Sequence, residues 1–87
     1  MRRSAGLIVT VLYFAQARER AGRSRETFEV AAGDGLVAAL SAIRDAHPEL
    51  DPLWDHLAIA VDGVLAPPDA VLREGAEIAL LPPVSGG

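Results

Sequence analysis

The chain has 87 residues, a formal net charge of −4 and no cysteine. One domain of that length buries only roughly 60% of the surface its unfolded chain exposes, which leaves little interior for an enclosed active site. Without cysteine there are no disulfides, thiolate nucleophiles or cysteine-based metal sites, and the acidic balance argues against nucleic acid and membrane while favouring a basic docking surface on a protein partner.

The apolar fraction is 51% and the mean hydropathy +0.26, yet no apolar run approaches the length of a membrane span. A small domain this apolar either packs very efficiently or keeps an apolar patch for a partner, and we favour the partner. All eight basic residues are arginine; a GC-rich codon bias accounts for this more readily than selection. Apart from the N-terminal amine, no primary amine is then available to attack an activated acyl group.

The segment Leu7-Ile-Val-Thr-Val-Leu-Tyr-Phe14 is rich in β-branched and aromatic residues and reads as the first strand. Leu7, Val9, Val11 and Tyr13 share one face, and Ile8, Thr10, Leu12 and Phe14 the other. Both faces are largely apolar, so the strand is either central and covered twice, or its outer face meets another protein. Arg2, Arg3, this apolar run and Ala15-Gln16-Ala17 also imitate a secretory leader. The run is short and carries Thr10 and Tyr13, and cleavage would remove the best strand, so the leader reading is set aside in favour of a cytoplasmic protein.

Ala15 to Ala21 suits a short helical turn stopped by Gly22. Glu26 to Val30 alternates polar and apolar residues as a half-buried strand does, and an antiparallel pair with the first strand is the economical arrangement. Asp34 is placed to cap the main helix, in which Leu36, Ala39, Leu40 and Ile43 form one apolar stripe and His47-Pro48 closes the end. Leu57 to Val61 is a third strand, Asp62-Gly63 a turn, Val64-Leu65 a brief return strand broken by Pro67-Pro68, and Glu77 to Leu81 the last strand. Between them, Val71 to Gly75 is a loop or single turn.

For one sheet to bury its apolar face the helix must lie across it, with the apolar first and last strands in the middle. That is an α+β fold of the ubiquitin-like β-grasp layout, a mixed sheet of four to five strands crossed by one main helix. Residues 1–81 form the domain and residues 82–87 an extended tail.

Conventional sites are missing. The carboxylates are scattered over loops and solvated faces, with no pair in an apolar setting that would shift a pKa. Asp51, Asp55 and His56 imitate a metal cluster but lack further ligands, and a solvated loop beside a helix end is the simpler reading; no metal site is expected. His47 and His56 have no nucleophile to activate and are read as structural or surface residues. Gly33-Asp34-Gly35 lacks the P-loop spacing and lysine, so ATP would have to be bound elsewhere. The chain thus holds no complete active site of its own and no bound cofactor is expected.

What remains is Pro82-Pro83-Val84-Ser85-Gly86-Gly87. Two prolines hold the segment extended after the last strand, and six extended residues reach at most about 20 Å. Gly86 and Gly87 lack a Cβ and can pass through a narrow channel. The terminal carboxylate is ionised at neutral pH and can attack the α-phosphate of ATP if another protein supplies the nucleotide. A bare Gly-Gly ending can also be an ordinary frayed terminus; after Pro-Pro and on a β-grasp pattern it points to tail chemistry.

Leu12 to Gly22 and Glu77 to Gly87, together with the Ala60-Val-Asp-Gly63 turn and the Leu72-Arg-Glu-Gly75 loop, resemble the MoaD/ThiS family, and in particular the small, sulfur-carrying subunits of molybdopterin synthase. The resemblance implies that an E1-like, ATP-dependent enzyme (MoeB) adenylates Gly87, that a sulfur-donating protein converts it to a thiocarboxylate (1-thioglycine), and that the tail enters the large subunit (MoaE) to give its sulfur to cyclic pyranopterin monophosphate in molybdenum cofactor biosynthesis. The family's assembled synthase is a heterotetramer. Carried over by position, Gly87 is the sulfur carrier and Gly86 admits it to the active site, while Pro82, Pro83, Val84 and Ser85 contact the partner. Phe14, Leu65 and Leu81 match apolar positions that meet the large subunit, against the alternative of plain core packing. Two departures stand out: Leu81 replaces a common aromatic before Pro-Pro, and Asp62 a frequent asparagine. The alternatives are a related carrier for thiamine, cysteine or thio-modified tRNA synthesis, and a ubiquitin-like protein modifier.

Overall fold

The computed structural model describes residues 6–83. Chain order runs β1 (Gly6–Tyr13), α1 (Ala15–Ala21), β2 (Arg25–Ala31), α2 (Gly35–Ala46), a 3-10 turn (Pro48–Leu50), α3 (Asp51–Trp54), β3 (Ala58–Val61), β4 (Val64–Leu65) and β5 (Glu77–Leu81). The five strands form one sheet in the order β2-β1-β5-β3-β4, with β1 parallel to β5 and the other pairs antiparallel. The fold is the expected α+β β-grasp, and its two most apolar long strands lie side by side.

Alternation sets the two sheet faces. Val9, Val11 and Tyr13 of β1, Val30 of β2 and Ile78 and Leu80 of β5 point inward, where Leu36, Ala39 and Ile43 of α2 cover them. α2 begins where Asp34 sits at the N-cap position, but its side chain caps nothing. The Leu36 N–H is instead satisfied by the Ala70 carbonyl at 3.1 Å, which straps the 67–70 loop to the helix start.

The segment between α2 and β3, expected as solvated loop, is helical. Pro48 is the first residue of the 3-10 turn and Pro52 the second of α3, both in a first turn where a missing N–H costs nothing, and Leu50 and Leu53 are buried. The helical phase was hidden because two short turns with only two apolar anchors leave no stripe. The β3–β4 hairpin closes through Asp62 and Gly63 at φ +52° and +83°, the paired left-handed angles of a two-residue hairpin turn.

Candidate functional site

The outward face of the sheet is built by register. Leu12 of β1 pairs with Arg25 of β2 and with Ala79 of β5, Ala79 pairs with Ala60 of β3, and Ala60 with Leu65 of β4. One row across all five strands therefore reads Arg25, Leu12, Ala79, Ala60, Leu65, apolar except at its β2 edge. The next row toward the strand ends holds Leu81, paired with Ala58. Tyr13 pairs with Leu80 in parallel register, which sets Phe14 beside Leu81.

Phe14 keeps extended angles, φ −118° and ψ 148°, so the β alternation carries one residue past β1 and turns its ring outward, 44% exposed. Ala15 then turns at φ +51°, a left-handed angle that costs a non-glycine residue about 1–2 kcal/mol. The Ala17 and Arg18 N–H groups both donate to the Phe14 carbonyl, at 2.9 and 3.3 Å, and Ala17 drops into the core. The strained turn thus fixes the chain on both sides of Phe14.

Of the residues singled out from the sequence, Phe14, Leu65 and Leu81 gather on this one face. Leu65 is 68% exposed, so plain core packing does not hold it. Leu81 is half-buried, and Pro82 and Pro83 leave the sheet directly after it. Val84, Ser85, Gly86 and Gly87 lie outside the described residues. Strand β5 is central, so the segment bearing the tail leaves from the middle of the sheet, beside Phe14.

The sequence reading missed one cluster behind this face. His47, 8% exposed, points both ring nitrogens at carboxylates: Nε2 lies 2.7 Å from Glu26 Oε1 and Nδ1 lies 2.8 Å from Glu49 Oε2. The Tyr13 hydroxyl donates to the same Glu26 oxygen at 2.9 Å, its ring edge-on to the imidazole at 5.5 Å, and Arg23 approaches the other Glu26 oxygen at 3.2 Å. Two carboxylates facing two ring nitrogens demand two N–H donors, so the geometry calls for imidazolium. Burial alone would lower the pKa of His47, but the bonds to Glu26 and Glu49 outweigh it and hold it above the usual histidine value. Burial likewise works to raise Glu26, and the bonds from His47 and Tyr13 overcome it and lower its pKa. Glu49 is lowered by its own backbone N–H and then by His47. Burial, followed by the bond to Glu26, pushes the Tyr13 hydroxyl far up.

The expectation that the carboxylates are scattered over loops and solvated faces is therefore corrected at Glu26, which β2 turns inward onto His47, while His47 keeps the structural role read from the sequence in a geometry that favours its protonated form. The alternation of β2 put Glu26 inward with Phe28 and Val30, and that inward acid was the available signal. His56 is exposed. The cluster has no nucleophile among its residues, and it locks the end of α2 and the 3-10 turn to β1 and β2. Among the described residues no group of three or more His, Cys, Asp or Glu side chains is arranged to hold a metal. No helix among them is long and apolar enough to cross a membrane.

Known proteins are similar to this chain in sequence and in fold. The ThiS family model matches residues 11–87. The molybdopterin synthase sulfur carrier subunit of Chlamydomonas reinhardtii is 38% identical over 81 residues, covering 91% of this chain and 98% of that protein. The crystal structure of SAMP1 from Haloferax volcanii is similar with a TM-score of 0.84 and 31% identity, covering 92% of this chain and 99% of that one. A chain from the protein–protein complex of subunits 1 and 2 of the molybdopterin-converting factor from Helicobacter pylori 26695 is similar with a TM-score of 0.66 and 32% identity, covering 93% of this chain and 100% of that one.

Proposed function

The chain belongs to the ThiS family, and from that premise we propose that it is the sulfur carrier subunit of a molybdopterin synthase, working in the cytoplasm through the carboxylate of Gly87. An E1-like adenylyltransferase binds the ATP. The carboxylate oxygen attacks the α-phosphorus, pyrophosphate leaves, and an acyl adenylate forms. Sulfur released at the sulfide level by a sulfur-donating protein attacks the acyl carbon, AMP leaves and a thiocarboxylate remains. Its sulfur then bonds to cyclic pyranopterin monophosphate inside the large subunit, and water cleaves the acyl–sulfur bond to restore the Gly87 carboxylate. Two small and two large subunits make the working heterotetramer.

The observation that carries this reading is the continuity of the apolar row Leu12, Ala79, Ala60, Leu65 with Phe14 and Leu81, at the point where central strand β5 hands over to Pro82. A large subunit seated on that face receives the tail directly, with Phe14 and Leu65 as apolar anchors and Pro82 to Ser85 steering Gly86 and Gly87 inward. Absence of cysteine means that the sulfur comes from another protein, and absence of lysine leaves the activated carboxyl almost no internal amine to consume it.

Deletion of Gly87 tests the reading. The truncated chain should keep its thermal transition and its binding to the large subunit, and lose sulfur transfer. Transfer retained without Gly87 would remove the tail as the carrier.

A second reading has its own observation: the likeness to SAMP1, a small archaeal modifier protein. In that reading the same activated carboxyl is joined to lysines of target proteins. Isopeptide adducts in cell extract would favour the modifier, and a free thiocarboxylate the carrier.

A further inference from the structure

The sheet face accounts for only part of the exposed apolar surface. On the opposite side of the domain, α2 buries Leu36, Ala39 and Ile43 and leaves Val37, Leu40, Ser41 and Arg44 at i, i+3, i+4 and i+7 on its outer face. With Trp54 of α3 these residues line an open groove of about 300 Å³. Val37 is 59% exposed and also lines a neighbouring hollow of about 230 Å³ between the start of α2 and the 68–72 loop, where Val71 is 82% exposed. Both valines are largely exposed, at a cost of apolar hydration that burial against a partner would recover.

Charge tells what chemistry suits this surface. Asp34 and Asp69 line the hollow, Asp51 bonds Arg44 at the groove, and Asp45 and Asp55 directly follow Arg44 and Trp54 in the chain. Among the described lining residues the cation is Arg44, and it is already engaged: its Nε donates to Asp51 at 2.9 Å and its guanidinium lies 5.3 Å from the Trp54 ring centroid. Arg18, Arg20, Arg23 and Arg25 all belong to the α1–β2 segment, away from the groove. An acidic partner would meet Asp34 and Asp69 at one end and the aspartates around Arg44 at the other, whereas a basic one finds complementary charge at both ends.

We propose that the outer face of α2 is a second docking surface, seating apolar side chains of a lysine- or arginine-flanked amphipathic segment from another protein between Val37, Leu40 and Trp54. The sheet separates this groove from Phe14 and Leu65, so its occupant leaves the apolar sheet face free. The inference goes beyond the carrier reading and does not depend on it.

Trp54 is the chain's one tryptophan, so its emission reports on the groove directly. The full chain is titrated with a short amphipathic leucine–lysine helix and with its leucine–glutamate counterpart, while backbone amide shifts are followed by NMR. The expected result is a saturable change in Trp54 emission, shifts centred on Val37, Ser41 and Val71, and roughly tenfold weaker binding of the glutamate peptide. Val37→Asp should abolish the response and Leu65→Asp should not. Val71→Asp, at a more exposed position, serves as a second variant should Val37→Asp lose its fold. Shifts mapping to Leu12 and Phe14, equal binding of the two peptides, or Trp54 emission that changes with protein concentration alone would each overturn the proposal, the last by assigning the face to a second copy of the chain.

Discussion

Replacing Glu26 with glutamine keeps the side-chain shape and removes the charge that holds the cluster behind the sheet. Its Oε1 accepts from both His47 and Tyr13. A hydrogen bond to a charged group contributes about 1.5–3 kcal/mol and a neutral one about 0.5–1.5, so losing charge assistance on two bonds costs about 2 kcal/mol. The contact from Arg23, whose side chain is half exposed, adds little to that sum. In a domain this small, 1 kcal/mol moves the midpoint by about 4–8 °C, so Glu26→Gln should melt roughly 8–16 °C lower near pH 6.

The pH dependence carries a sign. His47 is raised in the folded state, so its contribution is complete below the unfolded histidine value and is lost as pH rises through its folded value. Glu26 and Glu49 are lowered, so theirs is present above the usual carboxylate range and is lost as pH falls through their folded values. The wild type should therefore be most stable between those limits and weaken toward alkaline pH, while Glu26→Gln loses much of the alkaline slope. Urea unfolding followed by far-UV circular dichroism at several pH values measures both. A variant within about 0.5 kcal/mol of wild type, or one with the wild-type alkaline slope, would refute the imidazolium cluster.

Further outcomes follow from single sites. Leu65→Asp, at a position 68% exposed, should leave the melt nearly unchanged, and Phe14→Asp, at one 44% exposed, should lower it modestly. Both should weaken large-subunit binding by at least tenfold, about 1.4 kcal/mol, in calorimetric titration. Ala15→Gly should raise stability by roughly 0.5–1 kcal/mol in urea unfolding, because glycine relieves the left-handed angle at φ +51°. Asp62→Asn should be near neutral, since asparagine tolerates the left-handed turn and keeps an oxygen for the Glu77 N–H, whereas Asp62→Val should cost about 2 kcal/mol or more. Ile43→Ala, at a fully buried position, should cost about 2–5 kcal/mol.

How much of this was legible in the sequence depends on periodicity. β2 alternates and α2 carries a full stripe, so their type and inward faces followed from the residues, and Asp62-Gly63 announced its hairpin; β1 was legible as a strand, but its two apolar faces left the inward one open. Phe14 and Leu65 were named through the family resemblance; what the sequence could not supply was the register that joins them through Leu12, Ala79 and Ala60, because strand pairing is non-local. The 3-10 turn and α3 escaped notice for want of a repeating pattern. His47 depends on two carboxylates, one from a strand 21 positions earlier, and no local window shows that meeting. The groove on α2 was invisible for the same reason: Trp54 reaches Arg44 only after the chain turns through Pro48 and Pro52.

The central claim is that Gly87 carries sulfur. Intact mass spectrometry after incubation with an E1-like activating enzyme, ATP and a sulfur donor tests it most directly. The account predicts a mass gain matching one oxygen replaced by sulfur, localised to Gly87. An unchanged mass, while the same enzymes convert a known carrier in the same tube, would contradict it.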